Sequence, residues 1–405
     1  MNENHRYLII LLTALVGCGG GSGGSSDPVN DTLTLITVSL SASVNEAEVS
    51  SPVTLTWSSS NAQTCSATGD WSGTRAVSGS EEVIINKVGS NAFALNCSAN
   101  NATAGSASVQ VTGVVNRTNI TDEIFSNRIS DCANYVNNYG SNVRDLTRVI
   151  DFEGYVDIEV FDTYCDLLSD NIPNHDFNDS SANFRTNVVE IDRVFSVKRD
   201  PQMAAEISQI NGRAWDAVML NGVVVDVRSA GCYKPSEPRA DADGNTEAGC
   251  SLNDEWMLIP LEYSTKFGAD IHNAHVQPDG TYHYHGNPNA MFDDSPSGDG
   301  SPVIGFAADG FPIYGSYILD EETGNYRKVL SGYAVKQGSR GERTDTNPGG
   351  DYTGLYEEDW EWTDSGDLDE CNGMEFKGDY GYYITDSYPY IINCFKGEPD
   401  ASFNK

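Results

Sequence analysis

Four of the six histidines in this 405-residue chain lie within residues 269–286, and this segment constrains the fold more than any other. Residues 278–280 are Pro-Asp-Gly, which favours a turn. Residues 281–285 are rich in β-forming side chains and predict a strand. The histidines stand on both sides of the turn, at His272, His275, His283 and His285. A hairpin at this turn would bring the two pairs together.

The predicted strand has two chemically different faces. Because side chains alternate along a strand, His283 and His285 should share one face, and Tyr282 and Tyr284 the other. Neither tyrosine is therefore expected to be a direct ligand. The reversal would return the two earlier histidines to the histidine face, where several imidazoles can bind Zn, Cu, Fe or Ni.

Residues 274–288 closely resemble the signature of the YHYH family, which is named for the tetrapeptide at residues 282–285. The resemblance extends over roughly residues 150–397 and identifies a family without implying a particular reaction. Further segments that fit the family pattern are residues 171–175, 220–223, 304–315 and 368–373.

Two residues outside the cluster are candidates for catalysis. His175, in one of the family-like segments, could supply a further ligand, a proton relay or a structural hydrogen bond. Asp309 follows an apolar strand predicted at residues 303–307. It could act as a general base or orient a ligating histidine, and the alternative is a turn aspartate that bonds its own backbone.

The N-terminal segment has a pattern that is typical of an export signal. Arg6 precedes an apolar run at residues 7–16, which is too short to span a bilayer. Residues 15–18 resemble a bacterial lipoprotein box, which implies removal of residues 1–17 and lipidation of Cys18. By the same analogy, Gly19 implies an outer-membrane lipoprotein of the cell envelope, with the membrane as a partner through its lipid anchor. Ordinary secretion is the alternative.

The remainder predicts a mainly β protein with two domains. Residues 18–30 form a Gly/Ser tether. Residues 31–115 alternate as short strands and resemble an Ig-like β-sandwich, which implies an internal Cys65–Cys97 bridge. Residues 116–405, with a core at about 150–397, form a larger, mostly β YHYH domain with minor helix.

Eight cysteines follow Cys18, and an even number in an exported chain indicates disulfides. Near-neighbour spacing suggests one pairing among the 105 possible connectivities of eight cysteines. The suggested pairs are Cys65–Cys97, Cys132–Cys165, Cys232–Cys250 and Cys371–Cys394.

The secondary-structure pattern of the larger domain gives three specific predictions. Residues 188–197 alternate as one long strand. Residues 215–227 form a hairpin, and Asn221-Gly222 in it favours a type I′ turn. A helical stretch is expected around Cys132.

An acidic loop within the span of Cys232–Cys250 resembles a small calcium site. Asp241, Asp243 and Asn245 would supply its oxygen ligands. Leu252 stands where an EF-hand has glutamate, so a solvated loop closed by the disulfide is the alternative.

The composition argues against some partners and leaves two classes of function. The chain has 59 acidic and 24 basic residues, for a net charge of −35, so nucleic acid and other polyanions are not expected. No nucleophile elbow, phosphate loop or His-Glu-x-x-His motif is present. One class is a metal-binding protein that performs metal-assisted chemistry on an extracellular substrate; the other is a non-catalytic extracellular binding or adhesion protein with structural histidines.

The sequence allows three interpretations of the histidine cluster. It is a Zn or Cu site, a metal-free acid–base or ligand pocket, or a structural feature. Four histidines would close a tetrahedral structural site, whereas three would leave a position for water.

Overall fold

The computed structural model describes residues 34–251 and 254–405. They belong to two compact units, divided between Val115 and Asn116. Strands hold 41 % of the residues and helices 4 %, which confirms the predicted mainly β class. The predictions for the signal segment, for Cys18, for the tether and for Leu252 lie outside the described residues.

The described part of the first unit, residues 34–115, has ten strands. They are β1 (Thr34–Leu35), β2 (Thr37–Ala42), β3 (Glu46–Glu48), β4 (Pro52–Ser60), β5 (Thr64–Gly69), β6 (Gly73–Arg75), β7 (Ser78–Ile84), β8 (Gly89–Ser98), β9 (Ala102–Thr103) and β10 (Gly105–Val114). A five-stranded sheet has the order β3-β10-β8-β5-β6, a three-stranded sheet has the order β2-β4-β7, and β1 pairs with β9.

The two larger sheets of the first unit share one hydrophobic core. Alternate residues of β4, such as Leu55 and Trp57, pack with alternate residues of β8, such as Phe93 and Leu95. This arrangement is a β-sandwich. The Cys65–Cys97 disulfide joins directly paired residues of β5 and β8 within one sheet, whereas the bridge of antibody domains links two sheets. The Ig-like assignment therefore stays a prediction.

The second unit has twenty-one strands and little helix in its described residues, 116–251 and 254–405. The strands are β11 (Thr118–Asn119), β12 (Asn137–Asp145), β13 (Ile150–Val160), β14 (Tyr164–Ser169), β15 (Arg193–Lys198), β16 (Ser208–Gln209), β17 (Ala217–Met219), β18 (Val224–Val225), β19 (Cys232–Tyr233), β20 (Asn245–Thr246), β21 (Ala274–Val276), β22 (Tyr282–Tyr284), β23 (Val303–Ala307), β24 (Pro312–Tyr314), β25 (Tyr317–Leu319), β26 (Tyr326–Lys328), β27 (Tyr333–Val335), β28 (Trp360–Trp362), β29 (Gly373–Phe376), β30 (Asp379–Tyr383) and β31 (Cys394–Phe395). The helices are α1 (Ser264–Phe267) and 3-10 turns at Cys132–Tyr135, Glu357–Asp359 and Ala401–Phe403.

Two sheets organise the second unit. One sheet has five strands in the order β11-β12-β13-β14-β15, and the other has eight in the order β21-β22-β18-β17-β23-β24-β30-β29. Both contribute to one hydrophobic core. The smaller sheet supplies Leu167 and Phe195, and the larger sheet supplies Val218, Val224 and Tyr282. The remaining strands form four two-stranded pairs. Every strand of the signature region therefore belongs to the larger sheet, with β21 at its edge.

Two local predictions need correction. The long strand predicted at residues 188–197 is present only as β15, from Arg193. The β17–β18 hairpin is present, but Asn221 does not adopt the positive φ that a type I′ turn requires. Gly222 alone has φ +86°, its N–H donates to the Met219 carbonyl, and the Met219 N–H donates to the Val223 carbonyl. The loop is therefore a three-residue turn with a glycine bulge, which the Asn-Gly sequence also permits.

The four disulfides have the predicted pairing: Cys65–Cys97, Cys132–Cys165, Cys232–Cys250 and Cys371–Cys394. Cys132 also starts the short 3-10 turn that stands where a helical stretch was predicted. Among the residues that the structure describes, no helix is both long and apolar enough to cross a membrane.

Candidate metal centre

The β21–β22 hairpin carries the histidine cluster. The Gln277 N–H donates to the Thr281 carbonyl, and the Gly280 N–H to the Gln277 carbonyl. Gly280 has φ +97°, and a β-carbon there would come within 2.4 Å of Val189. Glycine is therefore required at this turn, which fixes the strand register.

Three of the four clustered histidines converge. His275 pairs directly with His283 across the hairpin, and His285 follows on the same face of the chain. The ring centroids form a nearly equilateral triangle, at 4.6 Å for His275–His283 and 4.7 Å for each of the other two pairs. One nitrogen from each ring lies within 4.8 Å of the others. We call this set the histidine triad.

Hydrogen bonds orient two rings of the triad. His275 Nδ1 is 2.9 Å from the Phe267 carbonyl, and His283 Nδ1 is 3.2 Å from the Thr281 carbonyl. Because a carbonyl oxygen only accepts, each Nδ1 carries the proton and each Nε2 keeps a free lone pair. Metal-ligating histidines are commonly held in this way by a carbonyl partner on the other nitrogen.

His285 is the unusual member. It is 2 % exposed, and neither of its ring nitrogens makes a hydrogen bond of good geometry among the described residues, although the Val227 and Asp226 backbone groups interact with the ring and raise its pKa. A buried polar group without a partner is costly, and one in a native structure needs an explanation, such as a bound ion. Its position in the triad, with nitrogens unoccupied, is what a metal ligand requires.

Burial keeps the triad neutral. Desolvation lowers the pKa of His275 below its usual value, and places the pKa values of His283 and His285 well below it. The neighbouring imidazoles lower the pKa values of His283 and His285 further, while the Val227 and Asp226 carbonyls act in the opposite direction on His285. Neutral imidazole is the form that ligates a metal.

His272 does not join the triad, which corrects the prediction that all four histidines converge. It lies in a turn in which the Asn273 N–H donates to the Asp270 carbonyl and Asn273 has φ +55°. This left-handed residue interrupts the strand alternation before β21. The His272 ring stacks on His175 at 3.7 Å between centroids, and its Nδ1 is 2.6 Å from the Pro288 carbonyl.

The tyrosine face of β22 holds a separate buried network. Tyr284 Oη donates to His175 Nε2 at 2.6 Å and accepts from Asn221 Nδ2 at 3.0 Å. His175 Nδ1 is 2.9 Å from the Asp176 carbonyl, and Tyr282 Oη donates to Asp270 at 2.8 Å. Burial, and secondarily His272, lowers the pKa of His175 to about 3. His175 thus lies on the face of the strand opposite the triad, and its hydrogen bonds are satisfied.

Asp309 is also distant from the triad. It lies in the turn after β23, and β23 is three strands from β22, or roughly 14 Å at the usual strand spacing. Its carboxylate accepts hydrogen bonds from Tyr382 Oη at 2.6 Å and from the Gly397 N–H at 2.9 Å. Burial raises its pKa, and these donors oppose the rise. The structure therefore does not bring Asp309 together with the histidines.

Asp226 is the carboxylate that the sequence analysis missed. Val224 of β18 lies in parallel register with His283, so Asp226, two residues later, stands beside His285 on the same face. Asp226 accepts from Gln277 Nε2 at 2.9 Å and pairs with Lys405 Nζ at 2.5 Å. The sequence indicates that Asp226 and Val224 lie on the same face of a strand. It does not indicate that this strand, β18, pairs in parallel with β22.

A cavity of about 990 Å³ opens over the triad. Its walls include apolar groups such as Phe184, Ile210 and Phe267. Asp226 and all three triad histidines line it, whereas His175, His272 and Asp309 do not. The three buried rings of the triad thus form part of the wall of a cavity that has the size and mixed lining of a ligand site.

Two other groups of potential ligands are less suitable for a metal, and the calcium site in the acidic loop stays a prediction. Two further clusters of histidine, cysteine or acidic residues in the described chain contain Cys132 and Cys165, or Cys232 and Cys250, all of which are disulfide-bonded. In the predicted calcium loop, Asp241 Oδ1 accepts from two backbone N–H groups, and Oδ2 accepts from Tyr263 Oη.

A comparison with known protein families places the matched region in the larger unit. The family model described as YHYH protein matches residues 194–397, which include the triad, Asp226 and Asp309 but not His175. No curated protein and no solved structure matches the chain.

Proposed function

The chain belongs to the YHYH family, and we propose that it binds Zn²⁺ or Cu²⁺ through His275, His283 and His285. The observation that carries this proposal is the triad geometry, with three imidazoles at nearly equal spacing and one nitrogen of each ring within 4.8 Å of the others. Imidazole sets of this kind suit both metals.

The triad favours an open site over a closed structural one. Structural zinc sites have four protein ligands, whereas catalytic sites have three and keep a position for water or substrate. His272, the fourth candidate, is committed to His175 and the Pro288 carbonyl. All three triad residues line the cavity, so a position left open on the metal would lie next to it.

This arrangement supports metal-assisted chemistry on an extracellular substrate. A metal held by three histidines would polarise a bound water or substrate oxygen. Asp226 is the carboxylate in the same cavity that is placed to accept a proton, and Lys405 and Gln277 hold it there. The cell-envelope location proposed from the Cys18 motif is consistent with a substrate outside the cytoplasm.

Metal analysis of the whole purified protein tests the proposal. The wild type should contain close to one Zn or Cu per chain after incubation with the metal and removal of the excess. The double change His283→Gln with His285→Gln should abolish this binding, because only one triad ligand remains. His272→Gln is the matched control, since it changes a buried histidine of the same segment and should retain the metal.

The competing class is a non-catalytic binding or adhesion protein whose histidines are structural. That class is supported if the wild type takes up neither metal and its melting temperature does not respond to metal or chelator. Equal metal loss in His272→Gln and in the triad variant would also contradict the assignment of ligands.

A further inference from the structure

The charge of the cavity is opposite to that of the whole chain. Among the described lining residues, five are cationic and only Asp226 and Glu247 are anionic. The whole chain has a net charge of −35 and only 24 Lys and Arg residues. The cationic residues are Arg185, Arg213, Arg228, Arg239 and Lys405. Such a concentration of basic groups around one concave site is not explained by the composition.

Three of the five cations already have partners. Arg185 forms an ion pair with Glu247, and Lys405 pairs with Asp226. Arg228 Nη1 is 3.6 Å from Glu357, which lies outside the lining. These pairs fix the cations in place and neutralise part of their charge.

Arg213 and Arg239 are the exceptions. Both side chains are exposed, and neither has an ion pair or side-chain hydrogen bond within residues 34–251 and 254–405. Guanidinium groups present donors that match the oxygens of phosphate and carboxylate. In a chain with a large excess of acidic residues, two unpaired arginines on one cavity are available to an external anion.

We propose that the cavity over the triad binds a small anionic ligand, with a phosphate or carboxylate group held by Arg213 and Arg239. This inference rests on the proposed function, because it names the class of molecule that the metal centre would act on. Cationic groups in a cleft concentrate anions locally even when the remaining surface repels them.

Two observations favour a small ligand over a polymer. The volume of about 990 Å³ matches the size of sites for small molecules. A long polyanion would extend beyond the cavity and meet the acidic surface of a chain with charge −35.

Binding measurements with three matched probes test the inference on the whole protein. Phenyl phosphate and phenylacetate carry the two candidate anionic groups, and benzyl alcohol is the neutral control. Titration calorimetry should show that at least one anion binds about tenfold or more tightly than benzyl alcohol, and that its affinity falls as salt is raised. The tighter of the two anions identifies the ligand group.

Arginine variants identify the site. Arg213→Gln with Arg239→Gln should weaken binding of the preferred anion about tenfold or more, because two charge-assisted contacts are lost. Arg144→Gln with Lys328→Gln removes the same charge from exposed ion pairs outside the cavity and should leave the affinity within about twofold.

The outcomes separate this inference from the metal proposal. Metal content is measured on the same samples and should be unchanged by the Arg213 and Arg239 changes. Arginine-dependent anion binding in chelated protein supports the inference even if no metal binds. Equal binding of neutral and anionic probes, or equal effects of the two double variants, overturns it while leaving the metal content as evidence on the triad.

Discussion

His275 lies directly opposite His283 in the β21–β22 ladder, and their imidazole centroids are 4.6 Å apart. Directly paired residues on one face of a sheet normally have β-carbons about 5 Å apart. The hairpin register alone therefore places two imidazoles close enough to share an ion. His285 then completes the triad because it is two residues further along the same strand.

We expect the triad to link metal binding to stability. An ion that binds only the folded state raises the free energy of unfolding by about 2.7 kcal/mol when its free concentration is a hundredfold above its dissociation constant. Added Zn or Cu should therefore raise the melting temperature of the chelated protein, as measured by calorimetry. The variant His283→Gln with His285→Gln should show no such rise, and a rise equal to that of the wild type would place the metal elsewhere.

Acid should destabilise the metal-free protein through His175. Its folded pKa is about 3, below the ordinary value of 6.5 for a histidine, so the unfolded state binds the proton first as the pH falls. Its stabilising contribution is complete above pH 6.5 and is lost progressively between about 6.5 and 3. Denaturant titrations of the chelated protein at several pH values give its free energy of unfolding as a function of pH. Within that window, this free energy should rise with pH less steeply in His175→Gln than in the wild type, by about 1.4 kcal/mol per pH unit. An identical slope in both proteins would contradict the neutral, buried state of His175.

Tyr284→Phe should destabilise the fold without removing the metal site. The change deletes a hydroxyl that serves both His175 and Asn221 in the core, and leaving these groups unpaired costs about 1–3 kcal/mol. Tyr317→Phe is the control, because its hydroxyl contacts an exposed Asp294 and its loss should cost under about 0.5 kcal/mol. Urea unfolding measures both. Metal content should be unchanged in both variants, since Tyr284 points away from the triad.

The disulfides should map as four near-neighbour pairs. Peptide mapping under non-reducing conditions is expected to recover Cys65–Cys97, Cys132–Cys165, Cys232–Cys250 and Cys371–Cys394. Replacing one pair by alanines, for example Cys132 and Cys165, should lower the free energy of unfolding by about 2–4 kcal/mol. Recovery of a peptide that joins any other two of these cysteines would show a different connectivity.

Cys18 should anchor the protein. The motif at residues 15–18 predicts lipidation, so Cys18→Ser should move the protein from the membrane fraction to the soluble fraction of cells. Immunoblots of the two fractions decide it, with Cys232→Ser as a control for loss of a cysteine elsewhere. A Cys18→Ser protein that still sediments with membranes would exclude lipid anchoring at this residue.

Local features of the site were accessible from the sequence. Strand alternation correctly separated His283 and His285 from Tyr282 and Tyr284, because the direction of a side chain in a strand depends only on its position. Residues 278–280 likewise indicated the turn that brings His275 back. These are short-range relationships that the order of residues specifies directly.

Strand alternation did not predict the position of the fourth histidine, His272. His272 is only three residues from His275, but the left-handed Asn273 breaks the alternation and sends its ring to His175, nearly one hundred positions earlier in the chain. Asp309 was selected because it follows an apolar strand, and the order of strands in the sheet places it roughly 14 Å away.

The sequence by itself determined the mainly β class, the pairing of near-neighbour cysteines, the β21–β22 hairpin and the two faces of β22. Each depends on side-chain periodicity, turn chemistry or short loops. Only the tertiary structure decided that Asp226 stands beside His285, and that Arg213, Arg239 and Lys405 line the same cavity. The physical reason is that these groups are brought together by pairing between strands that are distant in sequence and by packing of the core. Such long-range contacts produce no periodic pattern in the sequence.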